Sequence, residues 1–454
     1  MKELKKIIED PDRLKFAGDF DNKYLSDGLE HIYGKGDALV FPISTKEVSE
    51  ILRYANDNNI LITPRGAGTN LVGATIPQSG IILDLSLMNN IIELDKETLT
   101  ITVEPGIMLS KLQKYVEDQG LFYPPDPGEK ESTIGGNIIT NAGGMRAVKY
   151  GVTRDYVQEL EVVLADGRVI TLGSKNIKDS SGLSLKHLFI GSEGTLGIVT
   201  RCTLKLIPLP KYKRSVIIGF NSMNQAINAV HDTIMDATNP TAIEFVQRSV
   251  IKLGEEYTGV KYPFPESKAY LILTYDGDSL ESLEHNINKS RIVADRNKAL
   301  GFKSLEDPKE EKEIWDVRGC LLNAVEAKSQ SEPLDIVVPI NKITHFVEYV
   351  QELEAEAGVK MIAFGHAGDG NVHLCVLRED RDEEKWQEDL DLVLSKIYHK
   401  SYSLGGLPSG EHGIGIYKKK YFKSVTHDDN IRLMQEIKSV FDPKGILNAG
   451  KVFD

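Results

Sequence analysis

The 454-residue chain has only three cysteines, Cys202, Cys320 and Cys375, far apart and in no Cys-x-x-Cys pair. That supports neither a disulfide framework nor an iron–sulfur cluster. Electrons accepted by the chain would have to leave through another protein or a diffusible acceptor. No apolar run approaches the ~20 residues that span a bilayer. The amino terminus, MKELKKIIEDPDRLKF, has scattered charges and no continuous apolar segment of a secretory signal. The expectation is a cytoplasmic protein with no integral membrane segment. Basic residues are in deficit, 54 Lys and Arg against 67 Asp and Glu, for a net charge of −13. Such a surface repels a phosphate backbone, so nucleic acid is not an expected partner. An anionic ligand would need local positive character from backbone N–H groups, a few cations or a metal. Internal repeats and low-complexity tracts are also missing. What is there, 41% hydrophobic and 27% charged residues, is the composition of an ordinary globular protein. The length suggests two or three domains.

Residues 3–9 place Leu4, Ile7 and Ile8 on one helical face. From Ala38 the pattern becomes regular. ALVFPIS reads as a strand, and residues 44–57 carry helical spacing in Val48, Ile51, Leu52 and Ala55, with Ser44 or Thr45 as N-cap. NILITPRG is a β-branched run stopped by Pro and Gly, so the opening is α/β in character. Strands GIILDLS, IIELD and TLTITVEPG follow, then a helix over 109–119 and a Pro/Gly-rich stretch over 122–146. ELEVVLAD and RVITL flank the Asp166-Gly167 turn of a hairpin. Pro208 and Pro210, at the end of LGIVTRCTLKLIPLP, mark a domain boundary. Beyond them SVIIGF and AYLILTYDG read as strands, alternating with helical stretches near 223–235 and 280–300. That suggests an α+β domain with an antiparallel sheet. From about Asp428 the chain is helical, and FDPKGILNAGKVFD ends it as a loop.

Five segments carry chemistry. PRGAGTNLVG (64–73) follows a strand, and its alternating glycines let successive N–H groups turn toward one anion. It is not Walker A, because no Gly-Lys-Ser/Thr follows. Nor is it the dinucleotide fingerprint, because Gly73 follows Gly68 by five residues rather than three. A plain tight turn is the alternative. In PPDPGEKESTIGGNIITNAGGMRAVKYG (124–151), Gly135-Gly136 and Gly143-Gly144 permit close approach to a flat ligand, and Asn137 and Asn141 supply amides for its polar edge. A loop-rich sheet edge is the competing reading, although loops this long are usually functional. GSEGTLGI (191–198) is the third such segment, and three in one half favour a large cofactor lying across loops.

In FGHAGDGNVH (364–373) the Gly-Asp-Gly turn predicts a hairpin that brings His366 and His373 together across seven positions. Two meeting imidazoles suit a divalent metal, against the alternative of structural histidines. In SGEHGIG (409–415) Glu411 suits a third ligand that leaves an open position, and His412 suits a base. An exposed Glu-His on a loop would look the same.

Together PRGAGTN, PPDPG, NAGGMRAVKYG, GSEGTLGIVT, GHAGDGNVH, SGEHGIG and FDPKGILNAGK resemble the FAD-linked oxidases of the vanillyl-alcohol oxidase/p-cresol methylhydroxylase superfamily. The nearer branch holds D-lactate dehydrogenases, D-2-hydroxyglutarate dehydrogenases and the flavin subunit of glycolate oxidase. The resemblance runs from about Gly34 to Phe453. It implies an α+β fold: a two-part FAD-binding domain of the p-cresol methylhydroxylase type over 1–210, a ferredoxin-like cap with an antiparallel sheet over 211–425, and a tail over 426–454 returning to the FAD site.

By the same resemblance, Gly66, Ala67, Gly68, Thr69 and Asn70 cradle the pyrophosphate. Arg65, Gly73, Pro127, Gly128, Ser132, Thr133, Gly135, Gly136, Asn137, Asn141, Gly144, Tyr150, Gly151, Gly194, Gly197 and Ile198 line the rest of the FAD, with Asn448 near the ring. His366, His373 and Glu411 match the metal ligands, His412 the catalytic base, and Arg318 and Asn371 the substrate-binding positions. Zinc is the first choice of metal, with iron or manganese as alternatives.

The departures also inform. Thr69 and Asn70 stand where histidine-linked relatives carry His, which implies non-covalent FAD. No lysine precedes the Asp335-x-x-x-Pro339 stretch, where the hydroxyglutarate branch grips a distal carboxylate. Binding a second carboxylate without a cation is costly, so a monocarboxylate is expected, D-lactate first. Ala449 replaces the usual proline of the tail. The expected chemistry is oxidation of a small D-2-hydroxy acid, with electrons passed to an electron-transferring flavoprotein. The alternatives are a glycolate or other D-2-hydroxy-acid dehydrogenase using a quinone, an aryl-alcohol or sugar oxidase, and a non-catalytic flavin relay subunit.

Overall fold

The computed structural model describes residues 3–453, which divide into two compact units. The first takes in the chain up to 143, residues 152–209 and the chain from 411; the second holds 144–151 and 210–410.

In the first unit, strands Ala38–Val40, Ile81–Asp84 and Ile62–Arg65 run parallel, and Leu14–Phe16 adds antiparallel to the edge at Ala38–Val40. The three parallel strands are buried at every position, which is why they read as unbroken apolar runs. The crossover helix Thr45–Asp57 starts where Ser44 Oγ accepts the N–H of Glu47. Its spaced Val48, Ile51, Leu52 and Ala55 are all buried, each of the larger ones worth roughly 1.5–3 kcal/mol of transfer. A five-stranded antiparallel sheet follows, in the order Ile91–Asp95, Thr100–Val103, Ile198–Lys205, Val157–Val163 and Val169–Gly173. The expected Asp166-Gly167 hairpin joins its last two strands. Within the Pro/Gly-rich stretch lies a helix, Ile134–Thr140, capped by the Thr133 hydroxyl.

The C-terminal helix Asp428–Phe441 leads into a tail that pairs with the sheet edge at Ile62, through Ile62 N–H to the Ile446 carbonyl and Asn448 N–H to the Ile62 carbonyl. Buried Lys438 locks this return by donating to the carbonyls of Thr195 and Leu447 and to Asp442.

The second unit is built on a seven-stranded antiparallel sheet. Its order is Gly301–Leu305, Tyr212–Phe220, Ala269–Gly277, Ala242–Gln247, Met361–His366, Asn371–Leu377 and Ser331–Val337. Helices Arg248–Thr258, Pro308–Gly319 and Leu321–Glu326 share one apolar core with it. The chain leaves this unit between Gly410 and Glu411, ahead of the boundary near 425 expected from sequence. Backbone bonds explain the early crossing: Ile416 N–H reaches the Val72 carbonyl, and Val452 N–H reaches that of Gly415. Among the described residues no helix is long and apolar enough to cross a membrane.

Candidate active site

In the first unit, Pro64, Arg65 and Gly66 at the end of a parallel strand meet Thr133, Gly135 and Gly136, and the segment Gly194, Gly197 and Ile198, around a narrow cleft. A Cβ on Gly66 would lie 2.2 Å from Thr133 Oγ1, so only glycine lets the two segments approach. Leu85, Pro105, Ile139 and Val199 complete the wall. Sequence reasoning named none of these four as site residues, because they carry no signal beyond apolarity. Two buried amide atoms of the first unit have no partner among the described residues: Asn137 Nδ2 and Asn448 Oδ1. The other half of the Asn448 amide donates to the carbonyls of Ala74 and Glu193.

Several expected cofactor residues have structural duties. The Arg65 guanidinium is buried and donates to the carbonyls of Ser26 and Lys23, so it braces the loop from behind. Asn70 folds back on its own loop, accepting from Ala74 N–H and donating to Thr75. Gly73 N–H is held by Asp27. Ser132 donates to the Glu129 carbonyl, and Asn141 ends its helix in a left-handed conformation while accepting from Arg154 N–H. Ala67, Gly68, Thr69, Pro127 and Gly128 lie in the same loops but not on the cleft wall. Gly144, Tyr150 and Gly151 fall in the second unit, where Tyr150 donates to Asp276.

A further residue of the first unit escaped the sequence reading. Glu193, 3% exposed, accepts the N–H groups of Ile414 (2.7 Å) and Gly415 (2.9 Å). It thereby ties the loop that follows His412 to the segment lining the cleft. An acid among the glycines of GSEGTLGI was its only trace in the sequence; in the fold it takes a positive φ (51°).

In the second unit, strand register builds the site. Glu244 pairs with His366, His366 with Asn371, and Phe364 with His373, which pairs with Asp335. Because side chains alternate, Glu244, His366, Asn371, His373 and Asp335 all share one face; a one-residue slip would turn that strand's members away. The Gly-Asp-Gly turn does bring the imidazoles together. His366 Nε2 lies 3.2 Å from His373 Nε2, with the rings edge to face.

His366 Nδ1 lies 2.5 Å from Glu244 Oε1, while Arg318 Nε and Nη2 donate to Glu244 Oε2 at 2.9 and 2.5 Å. Burial alone would push the Glu244 carboxyl up, but His366 and Arg318 outweigh it and hold it at about 2. The ionised Glu244 accepts from His366 Nδ1–H, which leaves the Nε2 lone pair aimed at His373.

Asp335, fully buried, accepts from Asn371 Nδ2 (2.6 Å) with one oxygen, and from Ser409 Oγ and Gly410 N–H (both 2.8 Å) with the other. Glu411 and His412 directly follow this anchored point in the chain. Glu244 and Asp335 were also missed, although a lone acid in an apolar run, AIEFVQ or PLDIVVP, is the available signal.

The chain matches the FAD binding domain over residues 36–173 and the FAD linked oxidases C-terminal domain over 209–452. The chain belongs to the FAD-linked oxidases. Among curated relatives of this oxidase, a D-lactate dehydrogenase of Anaerostipes hadrus is 42% identical over 99% of this chain and 96% of its own length. The glycolate oxidase subunit GlcD of Bacillus subtilis is 37% identical, covering 95% and 92%. A p-cresol methylhydroxylase structure with substrate bound superposes with a TM-score of 0.81 at 17% identity, over 99% of this chain and 95% of that one, which establishes the shared fold.

An FAD-linked oxidase must hold FAD, and the first unit fits it. The cleft is walled by glycines and apolar side chains, and Asn137 and Asn448 each keep a buried polar atom in need of a partner. The second unit fits a divalent metal: two Nε2 atoms face each other, one imidazole is oriented through its Nδ1 by a carboxylate, and an Asp335 oxygen lies within 4.8 Å of a His373 ring nitrogen.

Proposed function

We propose that this FAD-dependent oxidoreductase is a D-2-hydroxy-acid dehydrogenase that oxidises D-lactate to pyruvate and passes the electrons to an electron-transferring flavoprotein. The observation that carries the reading is the facing pair of His366 and His373, with Glu244 fixing the tautomer of the first. It suits a metal-assisted oxidation of a hydroxy acid. The 42% identity with the Anaerostipes hadrus enzyme supports the choice of acid, and the scattered cysteines point to an acceptor outside the chain.

In this reading FAD, when bound, supplies the acceptor for the C2 hydride. Gly66 to Asn70 cradle its pyrophosphate and Asn448 stands by the ring. His366, His373 and Glu411 would hold a divalent metal, zinc first, which would supply Lewis acidity. Arg318 binds the substrate carboxylate through Nη1, since Nε and Nη2 are committed to Glu244. Asn371, which Asp335 holds through Nδ2, stands at the substrate position. His412 would take up the hydroxyl proton.

Anaerobic mixing of the purified yellow protein with D- and L-hydroxy acids, with and without chelator, tests the proposal. D-Lactate should bleach the flavin fastest, and chelation should slow it. His412→Ala should keep FAD yet slow bleaching by at least ~10²-fold. A flavin that no 2-hydroxy acid bleaches would sink the assignment. The acceptor is tested separately, by lactate-dependent reduction of purified electron-transferring flavoprotein against a quinone.

A further inference from the structure

Glu244 lies on a central strand of the second unit and is fully buried. Its two oxygens serve different groups: Oε1 takes His366 Nδ1, and Oε2 takes two nitrogens of Arg318. Arg318 comes from the helix Pro308–Gly319 and also stacks over Phe364, with its guanidinium carbon 5.2 Å from the ring centre. Phe364 is two residues before His366 on the same strand face. A carboxylate that accepts from a ligating imidazole raises its basicity, whereas a guanidinium on the other oxygen withdraws that charge.

We propose that Glu244 is a positioning residue that couples the substrate-side arginine to the metal-side histidine through one shared carboxylate. The inference rests on the function proposed above and adds a link between its two halves. Glu244 orients the Arg318 fork toward the substrate carboxylate and tunes how strongly His366 donates to the metal. The two effects are reciprocal. A change at Arg318, which touches neither histidine, alters metal affinity, and substrate that draws on Arg318 strengthens the hold on His366.

The test uses the FAD-loaded protein. Zn2+ affinity is measured by competition with a chromophoric chelator, and D-lactate kinetics are measured at saturating Zn2+, for wild type, Glu244→Gln, Glu244→Asp, Arg318→Met and the Gln/Met double variant. Glu244→Gln keeps the shape but presents an amide N–H to one of its partners. It should weaken Zn2+ by about 10–100-fold, the usual effect of losing such an outer partner, and raise KM by at least about 10-fold. Glu244→Asp, which keeps the charge, should recover part of both. Arg318→Met should tighten Zn2+ by at least about threefold, and that gain should vanish in the double variant.

Unchanged Zn2+ affinity in Glu244→Gln, or an Arg318→Met effect that persists in the double variant, overturns the coupling while leaving the metal reading intact. A wild-type protein that takes up neither Zn2+, Fe2+ nor Mn2+ overturns both. The chelator readout needs no substrate, so a wrong choice of hydroxy acid would leave the affinities as informative as before.

Discussion

Replacing Glu193 tests whether the cofactor segment places the catalytic loop. Glu193 bonds the N–H groups of Ile414 and Gly415, two and three residues beyond His412. A hydrogen bond to a charged acceptor contributes roughly 1.5–3 kcal/mol, so the pair could supply about 3–6 kcal/mol. Burial offsets part of this, because it pushes the Glu193 carboxyl up against the help of those same N–H groups and of Lys418 and Lys451. We therefore expect Glu193→Ala to lose about 3 kcal/mol, and Glu193→Gln, which keeps one acceptor, about half of that. Urea unfolding of the FAD-loaded protein reads the stability, and stopped-flow bleaching by D-lactate reads the placement of His412. If loosening the loop displaces the imidazole by about 1 Å, bleaching should slow by about 10²-fold, with KM within about twofold of wild type. The conservative Gln variant should recover much of the rate. Wild-type bleaching in a folded, FAD-loaded Glu193→Ala protein would refute the reasoning, as would an equal loss in the two variants.

Lys438→Met should destabilise the protein by about 3–5 kcal/mol in urea, because Asp442, which Lys438 meets in the interior, would be left a buried and uncompensated charge. Gly410→Ala should keep FAD but cut turnover: the new Cβ would stand 2.4 Å from Asn371 Nδ2 and 2.7 Å from Val337 Cγ2, forcing Gly410 off Asp335 and moving Glu411 with it. A normal turnover number for that variant would contradict the anchoring role. The Thr98 hydroxyl and N–H, then Lys175, hold Asp95 at about 2. Its folded value lies below the ordinary 3.8, so its contribution is fully present above that value and is lost as pH falls through about 2. The stability gap between wild type and Asp95→Asn, from urea midpoints, should accordingly shrink as the pH is lowered from 5 to 2; a gap that does not change with pH would rule this out.

Much of the first unit was legible along the chain. The helix at Thr45–Asp57 showed itself by Ser44 and four spaced apolar residues, and its parallel neighbours by unbroken apolar runs, because burial on both faces leaves no alternation. The hairpin at Gly-Asp-Gly was legible because turn chemistry is local. The helix Ile134–Thr140 was hidden by two glycines in its first turn and by its loop-like surroundings. The crossing at Gly410–Glu411 was displaced from its expected place because the bonds that set it come from Val72, Glu193 and Val452, remote in the chain.

Local chemistry therefore determined, from sequence alone, where the glycine-rich loops lie, that His366 and His373 flank one turn, and that the two halves differ in texture. Only the tertiary structure decided that Arg318 and His366 share the Glu244 carboxylate, that Asp335 holds Asn371 and Gly410, and that the Arg65 guanidinium is spent on the Ser26 and Lys23 carbonyls. Those outcomes depend on which strands pair and in what register. Register is set by the summed burial of whole faces and is written in no single stretch of residues.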